Sequence, residues 1–245
     1  MIIHYAIKVI TSLFLGAAAI LGPAISDAIK RKWFAPVITP SFKQQPPFCQ
    51  KTEYLPIDRS RIGKDDLWGV GDLWKYGGQP VYFIRFRVEN TGKSRLNNCE
   101  AVIEQLYIYD SAGNPQKVDG FTDVSLVWAD SDKAYVIDIG PNRPKYCNIG
   151  HIASKKYQEK IESSKFIDIG EVKNNPLRFF FELAYHPNSQ PNCLIPGKYA
   201  IKVVLYSDNA DKIELFFEIV WSGNWKDNIS EMFRELAINK IHEIN

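Results

Sequence analysis

The sequence has few of the residues on which common catalytic and metal centres depend. Its 245 residues include four cysteines and four histidines, with no CxxC pair and no histidine partner at metal-ligand spacing. These absences argue against a zinc knuckle and against a thioredoxin-type site. The chain also lacks GxSxG, P-loop and HExxH motifs, and it has no GxGxxG that opens a helix. We therefore expect no metal, no cofactor and no enzymatic activity.

The four cysteines lie about 45 to 50 residues apart, at Cys49, Cys99, Cys147 and Cys193. In an oxidising compartment they would suffice for two disulfide bonds, whereas in the cytoplasm they would act as small buried apolar residues. Their number and spacing are compatible with both states.

The net charge is also small, and it is unevenly distributed along the chain. The whole chain carries +2, of which residues 1–32 contribute +3, so that residues 33–245 carry −1. A nearly neutral soluble part gives no electrostatic reason to expect nucleic acid as a partner.

A long apolar segment stands at the N-terminus. Residues 9–25 read VITSLFLGAAAILGPAI without a charge. Five apolar residues on the other side of Lys8 extend the segment beyond the length that spans a bilayer: Ile2, Ile3, Tyr5, Ala6 and Ile7. A basic cluster with an aromatic neighbour follows it: Lys30, Arg31, Lys32 and Trp33. Because basic residues stay on the cytoplasmic side, residues 1–33 are predicted to be a single-pass inner-membrane anchor with the rest of the chain in the cytoplasm. The bilayer is then one partner, and the four residues mark its interface.

A cleaved signal peptide is the alternative interpretation of the same segment. Lys8 would form its basic region, and the alanines at 17–19 would provide a cleavage motif. The apolar run continues past these alanines, however, and the stronger basic cluster follows the run, so that an anchor is favoured.

Residues 34–223 predict a mainly β domain. About eight strand-like runs are separated by turn residues, and regular helices do not alternate with them. The runs are 81–90, 99–110, 124–128, 134–140, 145–152, 178–185, 199–207 and 213–221. This pattern predicts an antiparallel, immunoglobulin-like β-sandwich that includes a Gly/Trp-rich loop over 63–80.

Three local patterns support that fold. In residues 81–90, apolar side chains from Tyr82 to Val88 alternate with charged ones, as in a half-buried strand. Tyr199 follows Pro196-Gly197 and resembles the tyrosine corner of Greek-key sandwiches. Trp128 and Trp221 each end an apolar run and are expected in the core.

In the C-terminal residues 224–245, the apolar residues recur with a different period. Apolar residues recur at helical spacing over 228–244, and Asn228 with Glu231 is a plausible N-cap pair. We expect an amphipathic helix of about four turns. It would pack on the sandwich, lie on the membrane or hold a partner.

Taken together, these motifs resemble a broad set of uncharacterised prokaryotic membrane-anchored proteins with a β-sandwich domain. The resemblance rests on the anchor with its basic flank and on the strings FIRFRVENTGKSRLNNCEA, LVWAD, VIDIGP, CNIGHI and PGKYAIKVVLYSDNA. It implies an anchor and a sandwich, and it carries no activity and no functional residues.

Three groups remain as candidate ligand sites. Trp68, Trp74 and Tyr76 could form a sugar-stacking platform, although tryptophans in a glycine-rich loop more often cap a core. Asp130 and Asp132 suit a calcium loop or a solvated loop, without EF-hand spacing. His186 and Cys193 flank one loop and could meet, although a loop histidine and a structural thiol are the simpler interpretation.

The sequence therefore favours a membrane-tethered, non-enzymatic interaction or sensing module with an unidentified protein partner. An exported sandwich that binds carbohydrate is the first alternative, and an enzyme of unrecognised class is the second.

Overall fold

The computed structural model describes residues 33–54, 79–129, 131, 134–158, 177–185, 187 and 189–244. Several predicted features lie outside these residues: residues 1–32 of the anchor with its Lys30–Lys32 cluster, the Trp68, Trp74 and Tyr76 platform, Asp130, Asp132 and His186. Within the described part of the chain, no helix has the length and apolar character needed to cross a membrane.

The described residues are mainly β and form two antiparallel sheets. The first sheet contains β1 (Ile38–Ser41), β2 (Cys49–Tyr54), β3 (Gln79–Asn90), β8 (Lys145–Ala153), β9 (Phe179–Phe181) and β10 (Cys193–Leu194). The second contains β4 (Leu96–Tyr109), β5 (Pro115–Lys117), β6 (Val124–Ser125), β7 (Val136–Ile139), β11 (Gly197–Tyr206), β12 (Ile213–Trp221) and β13 (Leu236–Ile241). Two short helices accompany them, α1 (Lys155–Gln158) and α2 (Ile229–Glu235).

The order of the strands in each sheet follows from their hydrogen bonds. The first sheet runs β1-β3-β8-β9-β10, and β2 pairs with the same edge of β3 as β1. The second runs β13-β12-β11-β4-β5, and β6 and β7 share the β5 edge of β4. Because neighbours are antiparallel, the loop after β3 and the loop before β8 lie at one end of the domain.

The predicted alternation in residues 81–90 is confirmed. Tyr82, Ile84, Phe86 and Val88 are buried, whereas the charged residues between them are only half-buried. Phe86 packs against Phe217 of β12 with the ring centroids 5.8 Å apart. The inner faces of the two sheets therefore enclose a common core, as a sandwich requires.

The core contains the large aromatic side chains that the sequence placed there. Trp128 and Trp221 are both 1% exposed. Tyr199 is buried as well, and its ring lies against Gly197, where a Cβ would come within 3.0 Å of the tyrosine hydroxyl.

The run at 124–128 does not form a single strand. Val124 and Ser125 pair with β4 in the second sheet, whereas Leu126 and Trp128 form isolated bridges to Leu183 and Cys147 on the side of the first sheet. The segment therefore crosses between the sheets, and its backbone hydrogen bonds hold the two layers together.

The predicted start of the C-terminal helix is confirmed, but its predicted length is wrong. Asn228 caps α2, since its side chain accepts hydrogen bonds from the N–H groups of Ser230 and Glu231. The helix ends at Glu235, and residues 236–241 form β13 against β12. Leu236 and Ile238 are both buried, and this period of two is typical of a strand. The strand is stabilised by backbone hydrogen bonds to the open edge of β12.

Gln44 closes the sandwich between the N-terminal and C-terminal segments. Its Oε1 accepts from the N–H of Ile238 at 3.0 Å, and its Nε2 donates to the carbonyl of Leu236. The side chain thereby covers part of the backbone of edge strand β13.

Candidate functional site

Trp33 is the one residue of the predicted membrane interface that the structure describes. Its side chain is 67% exposed and that of the neighbouring Phe34 is 54% exposed. The ammonium group of Lys93 lies 5.9 Å from the Trp33 ring centroid and 5.7 Å from that of Phe34. The first described residues therefore carry two exposed aromatic rings beside a cation, a pairing typical of membrane interfaces.

Asn90 fastens this N-terminal segment to the sandwich. The residue is fully buried at the end of β3. Its Oδ1 accepts hydrogen bonds from the N–H groups of Val37 (3.2 Å) and Gly92 (3.1 Å). Its Nδ2 donates to the carbonyls of Ser94 (2.7 Å) and Ile139 (3.0 Å). One amide side chain thus satisfies four backbone groups from three segments.

Gly92 permits the close approach of the same segment. A Cβ at this position would lie 2.3 Å from the carbonyl oxygen of Ala35 and 2.6 Å from the backbone of Pro36. The connection after β3 therefore holds the incoming chain against the sandwich.

An open cleft of about 570 Å³ lies at this end of the domain. Its lining comes from the residue before β4, from β7, from the first residue of β8 and from the loop between these two strands. A bridge between Asn90 and Pro141 joins this loop to β3. The charged side chains of the lining are Arg95, Asp138, Arg143 and Lys145.

The charges of this region are strongly biased towards positive. Arg95 forms an exposed ion pair with Asp138 at 3.4 Å. Arg143 and Lys145 are exposed and have no carboxylate partner among the described residues. We refer to Lys93, Arg95, Arg143 and Lys145 together as the basic end.

The sequence interpretation missed the basic end, although a signal was present. Two short strings carry its cations: GKSR after β3, and NRPK, which leads into β8. An antiparallel pairing of these two strands puts both strings at one end of the sheet. The sequence alone did not indicate that β3 pairs with β8, and without this pairing the two basic strings could not be assigned to one surface.

A second polar constellation lies on the outer face of the first sheet. His151 Nδ1 is 2.5 Å from Glu182 Oε1, and the rings of Phe83 and Phe180 flank the imidazole at 5.5 and 5.2 Å. A carboxylate at this distance fixes the orientation of the imidazole ring. Within the described residues, His151 has no hydrogen bond to a serine, threonine or cysteine, so that the pair lacks a nucleophile to activate.

All four cysteines are buried thiols in the structure, and none forms a disulfide bond. Burial raises the pKa of Cys49 and of Cys99 to about 12, and it holds the pKa of Cys147 well above the ordinary range. The sequence was compatible with two disulfide bonds or with four buried thiols, and the structure contains four buried thiols.

We expect these thiols to be inert in the folded protein. A thiol with a pKa near 12 has on the order of a thousandfold less thiolate at pH 8 than a free cysteine, and burial also excludes the reagent. Maleimide labelling followed by intact-mass measurement should add no label to the native chain and four labels after denaturation. A native cysteine that reacts as fast as a free thiol would contradict this burial.

No group of three His, Cys, Asp or Glu side chains that could hold a metal ion occurs in the part of the chain that the structure describes. The chain matches no protein-family model, and no curated protein is significantly similar to it. The resemblance to membrane-anchored sandwich proteins therefore stays a prediction.

Proposed function

We propose that this chain is a single-pass inner-membrane protein whose cytoplasmic, immunoglobulin-like β-sandwich binds or senses another protein. The proposal rests on one feature of the sequence and on the structural feature that follows it along the chain. An uncharged run with a basic flank leads directly into Trp33 and Phe34, two exposed rings at the basic end of the sandwich.

Two features support an anchor with the domain in the cytoplasm. Lys30, Arg31 and Lys32 follow the apolar run and favour retention of that side in the cytoplasm. The cations of the basic end lie beside the attachment point, so that positive charge continues from the flank into the domain.

The architecture supports binding rather than catalysis. Aromatic and aliphatic side chains fill the space between the sheets. Tyr135 and Val136 are 48% and 37% exposed at β7, which pairs only with β4 among the described strands. An exposed apolar pair on an edge strand suits a protein partner, because such edges bind extended segments of other chains.

A cysteine-accessibility experiment tests the topology. Ala112 is exposed in the turn after β4, at the end of the domain remote from Trp33, and the native thiols are buried. The full chain with Ala112→Cys, expressed in a bacterial host, should react with a membrane-impermeant maleimide only after the cells are opened. The same chain with a cysteine added before Met1, ahead of the whole apolar segment, is the matched control and should react in intact cells.

Labelling of Ala112→Cys in intact cells would overturn the cytoplasmic assignment. Intact mass would then separate the two ways in which this could arise. A shortened chain that begins near the alanines at 17–19 would establish the exported, carbohydrate-binding alternative as the better hypothesis. A chain of full mass would instead indicate an anchor of the opposite orientation.

A further inference from the structure

We propose that the basic end is a docking surface for anionic lipid headgroups of the same membrane that holds the N-terminal segment. The inference rests on the proposed function, and it adds an orientation to it. The domain is not free to rotate about its anchor. It contacts the cytoplasmic leaflet through the end of β3 and the starts of β4 and β8.

The attachment point keeps the basic end close to the membrane. Lys93 contacts the Trp33 and Phe34 rings, and its backbone N–H donates to the carbonyl of Ala35. Only seven residues lie between Ile25, the last residue of the uncharged run, and Trp33. Fully extended, the eight steps from Ile25 to Trp33 would span at most about 28 Å. The tether therefore holds the cations at a high effective concentration next to the headgroups.

The charge of the basic end contrasts with that of the remaining domain. Four cations and the single carboxylate of Asp138 give it +3, whereas residues 33–245 as a whole carry −1. Asp208 and Asp211 lie at the same end, in the turn between β11 and β12, where Asp208 accepts a hydrogen bond from Asn98 of β4. With these two carboxylates counted as well, the four cations leave an excess of +1 at this end, which still complements the negative potential of a cytoplasmic leaflet.

The form of the basic end suits a surface better than a small anion. The cleft is open, and the exposed Arg143 and Lys145 lie just before β8 and at its first residue, where no described residue buries them. Flexible basic side chains on a broad face neutralise a distributed negative charge without fixed geometry. The exposed rings of Trp33 and Phe34 add the aromatic component that is common at the headgroup level.

Energy transfer in proteoliposomes tests the proposal on the full chain. A donor dye is attached at Asn97→Cys, since Asn97 is exposed beside the basic end and the native thiols are buried. The acceptor is a headgroup-labelled lipid. A second sample carries the dye at Ala112→Cys, about 44 Å away along β4. Vesicles contain phosphatidylcholine alone or phosphatidylcholine with phosphatidylglycerol.

We expect transfer from position 97, and not from position 112, to increase when phosphatidylglycerol is present. About 1 M salt, which shortens the Debye length to about 3 Å, should abolish the increase. The double variant Arg143→Gln/Lys145→Gln should lower the ratio of docked to undocked domains about 30-fold. The control Lys117→Gln/Arg234→Gln removes the same two charges from exposed sites at the opposite end and should leave the ratio unchanged.

The results separate failure of docking from failure of the anchor. If the chain floats with neutral vesicles but position 97 shows no dependence on phosphatidylglycerol or salt, docking is wrong and the anchor stands. If the chain does not float with neutral vesicles, the anchor is wrong and docking on that membrane falls with it. Loss of the lipid response in inorganic phosphate at constant ionic strength would show a free-anion site and would also overturn docking on lipid.

Discussion

The Asn90→Leu variant is expected to lose about 3 kcal/mol of unfolding free energy. Leucine has nearly the shape of asparagine but can neither donate nor accept a hydrogen bond. The substitution would leave the N–H groups of Val37 and Gly92 and the carbonyls of Ser94 and Ile139 without their partner. An unsatisfied buried group costs about 1–3 kcal/mol, and the partly exposed members of this set can recover part of that cost from water.

The exposed Asn97 near the start of β4 provides the matched control. Asn97→Leu makes the same chemical change at a side chain with no hydrogen bond among the described residues, and it should shift the unfolding free energy by about 0.5 kcal/mol or less. Both variants can be compared by urea unfolding of the detergent-solubilised full chain, followed by circular dichroism. Equal midpoints for the two variants would show that the Asn90 network does not fasten the N-terminal segment.

Trp128→Ala is expected to have a larger effect, about 3–5 kcal/mol. The Trp128 side chain is 1% exposed, and its Nε1 donates to the carbonyl of Tyr135 at 3.0 Å. The residue also lies in the segment that crosses between the sheets, through its bridge to Cys147. Removal of the indole therefore opens a cavity and orphans a carbonyl at the point where the two layers are joined.

Trp33→Ala is the control for this substitution, since it removes the same side chain from an exposed position. It should change the unfolding free energy by about 0.5 kcal/mol or less. Trp128→Phe retains most of the volume and loses the hydrogen bond, and it should fall between the two alanine variants. Similar denaturant midpoints for Trp33→Ala and Trp128→Ala would contradict the burial of Trp128.

The strands were predictable because their signals are local. Alternation over 81–90 reports which side chains share a face of β3, and the run 213–221 coincides with β12. The cap of α2 was equally local, since Asn228 and the two N–H groups that it binds lie within four residues. Periodicity and capping depend on neighbours along the chain, and the sequence contains them directly.

The C-terminal segment shows where local signals become ambiguous. Leu236 follows Met232 and Phe233 at helical spacing, but it also alternates in burial with Ile238, as in a strand. The open edge of β12 decides between them, because it supplies backbone partners over 236–241. The short strands β1 and β2 were missed for a similar reason, since each forms only by pairing with the same edge of β3.

The sequence by itself determined the mainly β character of the domain, most strand positions, the two core tryptophans and the uncharged N-terminal run. The tertiary structure decided how strands pair, that the 124–128 segment crosses between sheets, and that Lys93, Arg95, Arg143 and Lys145 share one end. Burial patterns follow from the period of a strand, which a few neighbouring residues specify. Pairing and surface charge depend on contacts between residues distant along the chain, such as Asn90 and Ile139, which only the folded molecule brings together.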